Sequence, residues 1–292
     1  MRITQSETYS NFISDIETLN EAYNHASQEV SSGKTLNQLQ DSPGSSAELL
    51  SLDDQASDID VYESSANMAS YYLQTADSAL SSVNDLLTSI YSEGSEAASD
   101  SMTADDQASI ATNIQSLQNQ ILSLANSQAN GRYIFAGSSV TSQPFQINGD
   151  SVSYSGDETV DTVPVDQGTE VQSGVPGSDA FNSVFSSIES LLSAINSNDV
   201  SAIGTALGQF SSAFSQLGQA RETIGSNMAL LQNVQTRLQA QSTSITTQQS
   251  SLADADMAQA TVQMSQAQTA LEAAMAAGSS ILKQYNLFDY LG

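Results

Sequence analysis

The sequence contains no cysteine, one histidine and only six basic residues among 292. The absence of cysteine excludes disulfides, thiol catalysis and thiolate metal sites together. Six lysines and arginines against 33 acidic residues give a formal net charge of -27. Because phosphate binding requires positive charge, this composition argues against a nucleic-acid partner. The acidic excess instead indicates a solvated surface that keeps free subunits soluble and apart.

Long apolar runs are also missing. No stretch approaches the roughly 18 consecutive apolar residues of a membrane span, so we expect no membrane insertion. Residues 1–10 contain one arginine and no apolar core, so we expect no cleavable secretory signal peptide. If the protein leaves the cell, we expect it to need a dedicated exporter.

The two ends of the chain carry matching heptad repeats, in predicted helical arms at residues 1–30 and 253–292. A seven-residue apolar repeat keeps one side of a helix facing a partner helix, so the arms are natural partners for each other. They contain few large apolar side chains, and we expect neighbouring subunits to complete their packing. The predicted assembly interface consists of Tyr9, Phe12, Ile16, Leu19, Tyr23, Val30, Met257, Ala260, Met264, Ala267, Leu271, Ala274, Ile281, Tyr285 and Phe288.

Between the arms, the pattern predicts a helical rod interrupted by a small β-rich domain. A linker at residues 31–46 precedes the first half of the rod, at 47–130, and the second half occupies 179–252. The first half begins with a helix of about 40 residues. Ser45 and Glu48 form its predicted capping box, and a polar break containing Gly94 ends it. Thr103 and Asp106 then cap a third helix.

Residues 131–178 contain three of the four prolines and seven of the sixteen glycines. Here the apolar period drops towards two, which predicts strands. The pattern places Phe145 and Ile147 opposite Val152 and Tyr154 across a tight turn at Asn148-Gly149. The fold class is therefore mostly α, with a small β-rich domain inserted into a coiled-coil rod.

Residues that could support catalysis or metal binding have simpler interpretations. His25 is the only histidine, and we expect it to be a polar side chain near an interface. The pairs Asp58/Asp60 and Asp254/Asp256 lack the loop of a calcium site and suit solvated or helix-capping carboxylates better. The serines have neither a base nor a nucleophile elbow, and no phosphate-binding loop occurs. We expect no enzyme activity, no metal and no cofactor.

Four segments carry a resemblance to a known family: residues 31–34 (SSGK) with 41–43 (DSP), 131–137 (GRYIFAG), 251–257 (SLADADM) and 287–291 (LFDYL). They resemble the flagellin family, and in particular its members at the junction between hook and filament, the hook-associated protein 3 group. Thr35, Ser42 and Asn227 depart from the residues usual in this group, which concerns charged contacts rather than architecture.

The resemblance implies an extracellular structural protein of the bacterial flagellum, polymerised as an adaptor layer between hook and filament. It implies type III export, an export chaperone, and three neighbours: further copies of the chain, another hook-associated protein on the hook side and flagellin on the filament side. One alternative is the filament flagellin itself. A less favoured alternative is a secreted effector or lytic enzyme with coiled-coil arms, for which the β segment offers too few residues to build a cleft.

Overall fold

The computed structural model describes residues 5–38, 42–99, 101–149 and 151–289, with side chains from Tyr9 to Ser280 inside these ranges and at Glu7. The chain forms two compact units. The terminal unit contains residues 1–57 and 241–292, and the central unit contains residues 58–240. The described part is largely helical with a small strand-containing insert, so the predicted fold class is confirmed.

In the terminal unit, helix α1 (Gln5–Ser32) packs against helix α6 (Met257–Asp289). The unit also contains the first turns of α2 (Pro43–Ala97) and the last turns of α5 (Val200–Ala253). The side chain of Gln249 donates a 2.7 Å hydrogen bond to Asp53 between these two helices. Along the chain, α1 is followed by the longer helix α2, and α6 is preceded by the longer helix α5.

Helix α2 is longer than its sequence indicates. It has 55 residues, about 82 Å at 1.5 Å per residue, rather than about 40. It continues through Gly94, where a Cβ atom would lie 2.8 Å from the Leu191 side chain and 3.0 Å from that of Leu207. The predicted break at Gly94 is therefore wrong, because this glycine is a close packing position and not a helix end.

The predicted capping box of Ser45 and Glu48 is also wrong. Helix α2 begins at Pro43, two residues earlier, and the Ser46 amide already donates a 2.8 Å hydrogen bond to the Ser42 carbonyl. Proline suits the first helical position because its fixed φ is helical and its missing N–H has no partner there anyway. Ser45 therefore lies inside the first turn.

In the central unit, α2 and α5 run antiparallel, since Asp77 contacts Arg221 and Asn67 contacts Gln235. The 54 residues of α5 form a single helix. Large side chains are buried in the core. Those of α2 and α5 that are at most 1% exposed include Leu73, Leu80, Leu87, Ile90, Phe210, Leu217, Ile224 and Leu231.

Two shorter helices, α3 (Ala104–Ala125) and α4 (Gly177–Asn196), pack against each other in the same unit. The predicted cap of α3 is confirmed, because Thr103 and Asp106 form a reciprocal capping box. The Asp106 amide donates to the Thr103 hydroxyl at 3.2 Å, and the Thr103 amide donates to the Asp106 carboxylate at 3.1 Å.

The insert between α3 and α4 consists of three separate antiparallel hairpins rather than one sheet. The predicted pairing is confirmed, since Phe145 lies opposite Tyr154 and Ile147 opposite Val152. Asn148, however, pairs with Ser151 and belongs to the strand, so the turn begins one residue later than predicted. The strands are β1 (Gln128–Ala129), β2 (Arg132–Tyr133), β3 (Phe145–Asn148), β4 (Ser151–Tyr154), β5 (Thr162–Asp166) and β6 (Thr169–Gln172).

An aromatic cluster attaches the insert to α4. The Phe145 ring lies 5.3 Å from the Phe181 ring and 5.4 Å from the Phe185 ring, between centroids. Phe135 adds an edge-to-face contact with Phe181 at 4.9 Å. Phe135, Phe145 and Phe181 are all at most 1% exposed, so the hairpins share a core with the helices.

Candidate assembly surface of the terminal unit

The predicted interface residues divide into four sets in the α1–α6 pair. Ala260 of α6 is buried, at 2% exposure. Ala26 of α1, which lies two heptads after Phe12, is likewise buried at 4% exposure. Tyr9 and Met257 are 58% and 45% exposed. Ile281, Tyr285 and Phe288 lie outside the described side chains. The remaining residues are half-buried: Phe12, Ile16, Leu19, Tyr23, Val30, Met264, Ala267, Leu271 and Ala274.

One close contact of the pair joins Phe12 to Gly278. A Cβ atom at Gly278 would lie 2.2 Å from the Phe12 Cζ atom and 2.6 Å from Cε1, far inside van der Waals contact. Only a residue without a side chain can therefore occupy position 278 while the Phe12 ring keeps its place. We call this contact the arm notch. Its signal in the sequence is a glycine at a stripe position of a helical heptad.

The linker after α1 and the second linker, residues 254–256 between α5 and α6, meet in a short backbone bridge. The Thr35 amide donates a 2.7 Å hydrogen bond to the Ala253 carbonyl, and the Ala255 amide donates a 2.9 Å bond to the Gly33 carbonyl. The Thr35 hydroxyl adds a 3.2 Å bond to the same Ala253 carbonyl. Thr35, one of the departures from the family pattern, thus fastens one linker to the other. This pairing was not predicted, because heptads carry no information on non-helical segments.

Capping residues at the end of α1 and at the start of α6 set the bounds of the two linkers. Gly33 has a φ of 72°, and this left-handed conformation, which suits glycine, ends α1. On the other side, the Asp256 carboxylate accepts hydrogen bonds from the amides of Ala258 at 2.9 Å and Gln259 at 3.2 Å. This carboxylate is a helix cap of α6, which is the simpler of its two interpretations.

His25, another of the candidate residues, makes a contact within α1. His25 Nδ1 lies 3.5 Å from the Glu29 carboxylate, one turn further along α1. Among the described residues, no group of three or more histidine or acidic side chains is placed to hold a metal ion. No described helix combines the length and apolarity needed to cross a bilayer.

The GRYIFAG segment organises the insert of the central unit. The Arg132 guanidinium lies 5.7 Å from the Tyr72 ring centroid and 2.7 Å from the Asp161 carboxylate. Gly137 has a φ of 64°, and a Cβ atom there would lie 1.9 Å from the Asp157 carbonyl oxygen. The segment therefore joins the hairpins to each other and to α2.

Each of the three arginines in the central unit is paired with an aspartate. Besides Arg132, Arg221 contacts Asp77 at 2.9 Å and Arg237 contacts Asp166 of β5. The hydrogen bond to Asp77 raises the pKa of Arg221. Hydrogen bonds from the hydroxyls of Thr103 and Ser138 lower the pKa values of Asp106 and Asp157, respectively. The three ion pairs join separate segments of the central unit, and the Thr103–Asp106 bond caps α3.

Comparisons with known proteins agree with the two-ended architecture. Residues 3–140 match the bacterial flagellin N-terminal helical region, and residues 200–291 match the bacterial flagellin C-terminal helical region. Flagellar hook-associated protein 3 of Salmonella typhimurium is 29% identical over 188 residues, 64% of this chain and 58% of that protein. The Escherichia coli protein of the same name is 31% identical over 119 residues, 40% of this chain and 38% of that protein. The chain thus spans less than two thirds of either relative.

Solved structures show the same fold. A putative flagellar hook-associated protein from Vibrio parahaemolyticus superposes with a TM-score of 0.69 at 20% identity, covering 73% of this chain and 100% of that one. FlgL from Xanthomonas campestris gives a TM-score of 0.63 at 19% identity, covering 68% of this chain and 99% of that one. Together these findings show that the chain belongs to the flagellin family and resembles its hook-associated protein 3 members.

Proposed function

We propose that the protein is a structural subunit of the bacterial flagellum that polymerises as an adaptor layer between hook and filament. The observation that carries this proposal is the pairing of α1 with α6, from opposite ends of the chain, with large apolar side chains left exposed beside the seam. Such a pair suits an assembly surface better than a self-sufficient core. The protein acts without catalysis and without a cofactor.

Its neighbours would be further copies in a ring or helical layer, another hook-associated protein on the hook side and flagellin on the filament side. The predicted arm residues would form the contacts among copies. The protein would be extracellular, reaching its place through the type III export apparatus with the help of a chaperone and without a cleavable signal peptide. Support comes from the flagellin helical regions at both ends and from the names of the curated relatives.

The main alternative is a filament flagellin, whose terminal helices follow the same pattern. Both curated relatives and the Vibrio parahaemolyticus structure are named as flagellar hook-associated proteins and not as flagellins. These names favour the junction.

Electron microscopy of the full-length protein added to isolated hooks tests the proposal. We expect a thin layer of defined thickness at the hook tip, on which flagellin then polymerises. Long filaments grown from this protein alone would favour the flagellin alternative. Failure to bind hooks at any concentration would contradict both.

A further inference from the structure

The dipeptide Asn-Gly occurs twice in the sequence, and both copies lie in hairpins of the insert, at Asn130-Gly131 and Asn148-Gly149. All four residues are exposed. Asparagine before glycine is prone to intramolecular chemistry, because glycine has no side chain to hinder attack of its backbone nitrogen on the asparagine amide. A Cβ atom at either glycine would meet nothing within 4 Å. Both sites are open, so the backbone conformation decides which one reacts.

Asn130 occupies the first central position of a type I′ turn. Its φ is 51° and that of Gly131 is 76°, and the residues on either side, Ala129 and Arg132, pair with each other. In this conformation the Gly131 nitrogen points away from the Asn130 side chain, and a rotation of about 150° about the Cα–C bond would be needed to bring them together. Because Ala129 is only 1% exposed, such a rotation would disturb the core beneath the hairpin.

Asn148 lies instead at the end of strand β3, opposite Ser151. From an extended strand backbone, a rotation of about 105° brings the next nitrogen over the side-chain carbonyl. Residues 146–149 are all exposed, so this end of the hairpin can open without reaching the core. One hydrogen bond opposes the reaction: Asn148 Nδ2 donates to Ser153 Oγ at 2.6 Å, which draws the side chain back along the hairpin and away from Gly149.

We propose that Asn148 is a site of spontaneous deamidation, that Asn130 is protected, and that the hydrogen bond to Ser153 slows the reaction. The Gly149 nitrogen loses its proton to hydroxide and attacks the Asn148 Cγ atom, so that a C–N bond forms and closes a succinimide ring. The Cγ–Nδ2 bond breaks, and the leaving nitrogen takes a proton from water and departs as ammonia. Water then adds to one of the two ring carbonyls and opens the ring to aspartate or isoaspartate. The reaction needs no enzyme, oxidant or reductant.

The products change the end of the hairpin in two ways. Either product replaces a neutral amide with a carboxylate, in a chain whose formal net charge is already -27. Isoaspartate also adds one carbon atom to the main chain at position 148, so the pairing with Ser151 is lost. The fold should survive, because Phe145 and Tyr154 pair at the other end of the hairpin, within the aromatic cluster. Since hydrolysis is irreversible, its extent records the age of the molecule.

Tandem mass spectrometry of the aged full-length protein tests the proposal, and trypsin separates the two sites because Arg132 lies between them. In the folded protein, Asn148 should be converted at least about tenfold faster than Asn130, because its local opening costs less. In denaturant, where neither hairpin persists, the two rates should agree within about twofold. Ser153→Ala should speed conversion of Asn148 by about fivefold, the effect of losing one hydrogen bond, and leave Asn130 unchanged.

Asn148→Gln is the control for the assignment, because glutamine would have to close a larger ring and the isoaspartate signal should disappear. The Asn130 rate in each sample reports whether a variant has unfolded, since it rises to the denatured value if the hairpins open. Equal rates at Asn148 and Asn130 in the folded protein, or conversion of Asn148 only in denaturant, would overturn the proposal. An unchanged Asn148 rate in folded Ser153→Ala would show that the hydrogen bond to Ser153 does not restrain the reaction.

Discussion

The two units bury different kinds of side chain. In the central unit, Leu80 of α2, Phe210 of α5 and Phe181 of α4 are completely buried. In the described part of the α1–α6 pair, the buried positions are Ala26, Glu29, Ala260 and Gly278. Since hydrophobic stabilisation scales with the apolar area removed from water, the central unit can hold itself together and the arms contribute little alone. The same heptad pattern therefore builds a core in one unit and, as we propose, an assembly interface in the other.

The largest expected effect is the removal of a large side chain from the central core. Phe181→Ala should lower the free energy of unfolding by about 3–5 kcal/mol, because the aromatic cluster loses its central ring and a cavity remains. The half-buried Phe12 of the arm is the matched position, and Phe12→Ala should cost clearly less. Urea denaturation measures both. Equal losses would mean that the two units are packed alike.

The next effect concerns the arm notch. Gly278→Ala places a methyl group against the Phe12 ring, and overpacking of this kind costs about 1–3 kcal/mol. We expect it to block polymerisation while the melting transition of the central unit stays in place. In the double variant Phe12→Leu/Gly278→Ala, the shorter leucine makes room and assembly should return in part. Absence of any rescue would show that Phe12 is not what excludes a side chain at position 278.

We expect a milder effect from a substitution at Ala267, which lies 11 residues before Gly278 in α6. Ala267 is half-buried beside α1, whereas Gln266 is exposed. Ala267→Leu should push the helices apart and weaken assembly and motility, with little effect on the monomer's melting temperature. Gln266→Leu should do much less. Identical polymerisation curves for the two variants would contradict the seam described for α6.

The smallest effect belongs to the cap of α3. Thr103→Ala removes the hydroxyl that caps the helix and lowers the pKa of Asp106, so the melting temperature of the central unit should fall by a few degrees at neutral pH. A lowered folded-state pKa stabilises the protein above the unfolded pKa, and this contribution disappears as pH falls through the folded value. The difference between variant and parent should therefore shrink in acid. A difference that grows in acid would assign the stabilisation to another group.

Periodic apolar patterns made much of this architecture predictable. The heptads of the two chain ends predicted the paired terminal helices, and alternation around Phe145 and Tyr154 predicted their cross-strand pair. The helix end predicted at Gly94 was wrong, because the sequence does not distinguish a glycine that ends a helix from one that lets a leucine side chain pack against the backbone. The arm notch and the backbone bridge at Thr35 depend on which residues meet across more than two hundred positions. A heptad specifies a facing side but not its partner atoms, so these contacts required the structure.

Hydrogen exchange in the dilute monomer and in the assembled layer tests the contrast between the two units most directly. We expect amides of residues 9–30 to exchange rapidly in the monomer and to become protected on assembly, because neighbouring copies supply the apolar burial that the arms lack. Amides of residues 66–90 should be protected in both states. Equal protection of residues 9–30 and 66–90 in the monomer, or no gain in the arms on assembly, would contradict the account.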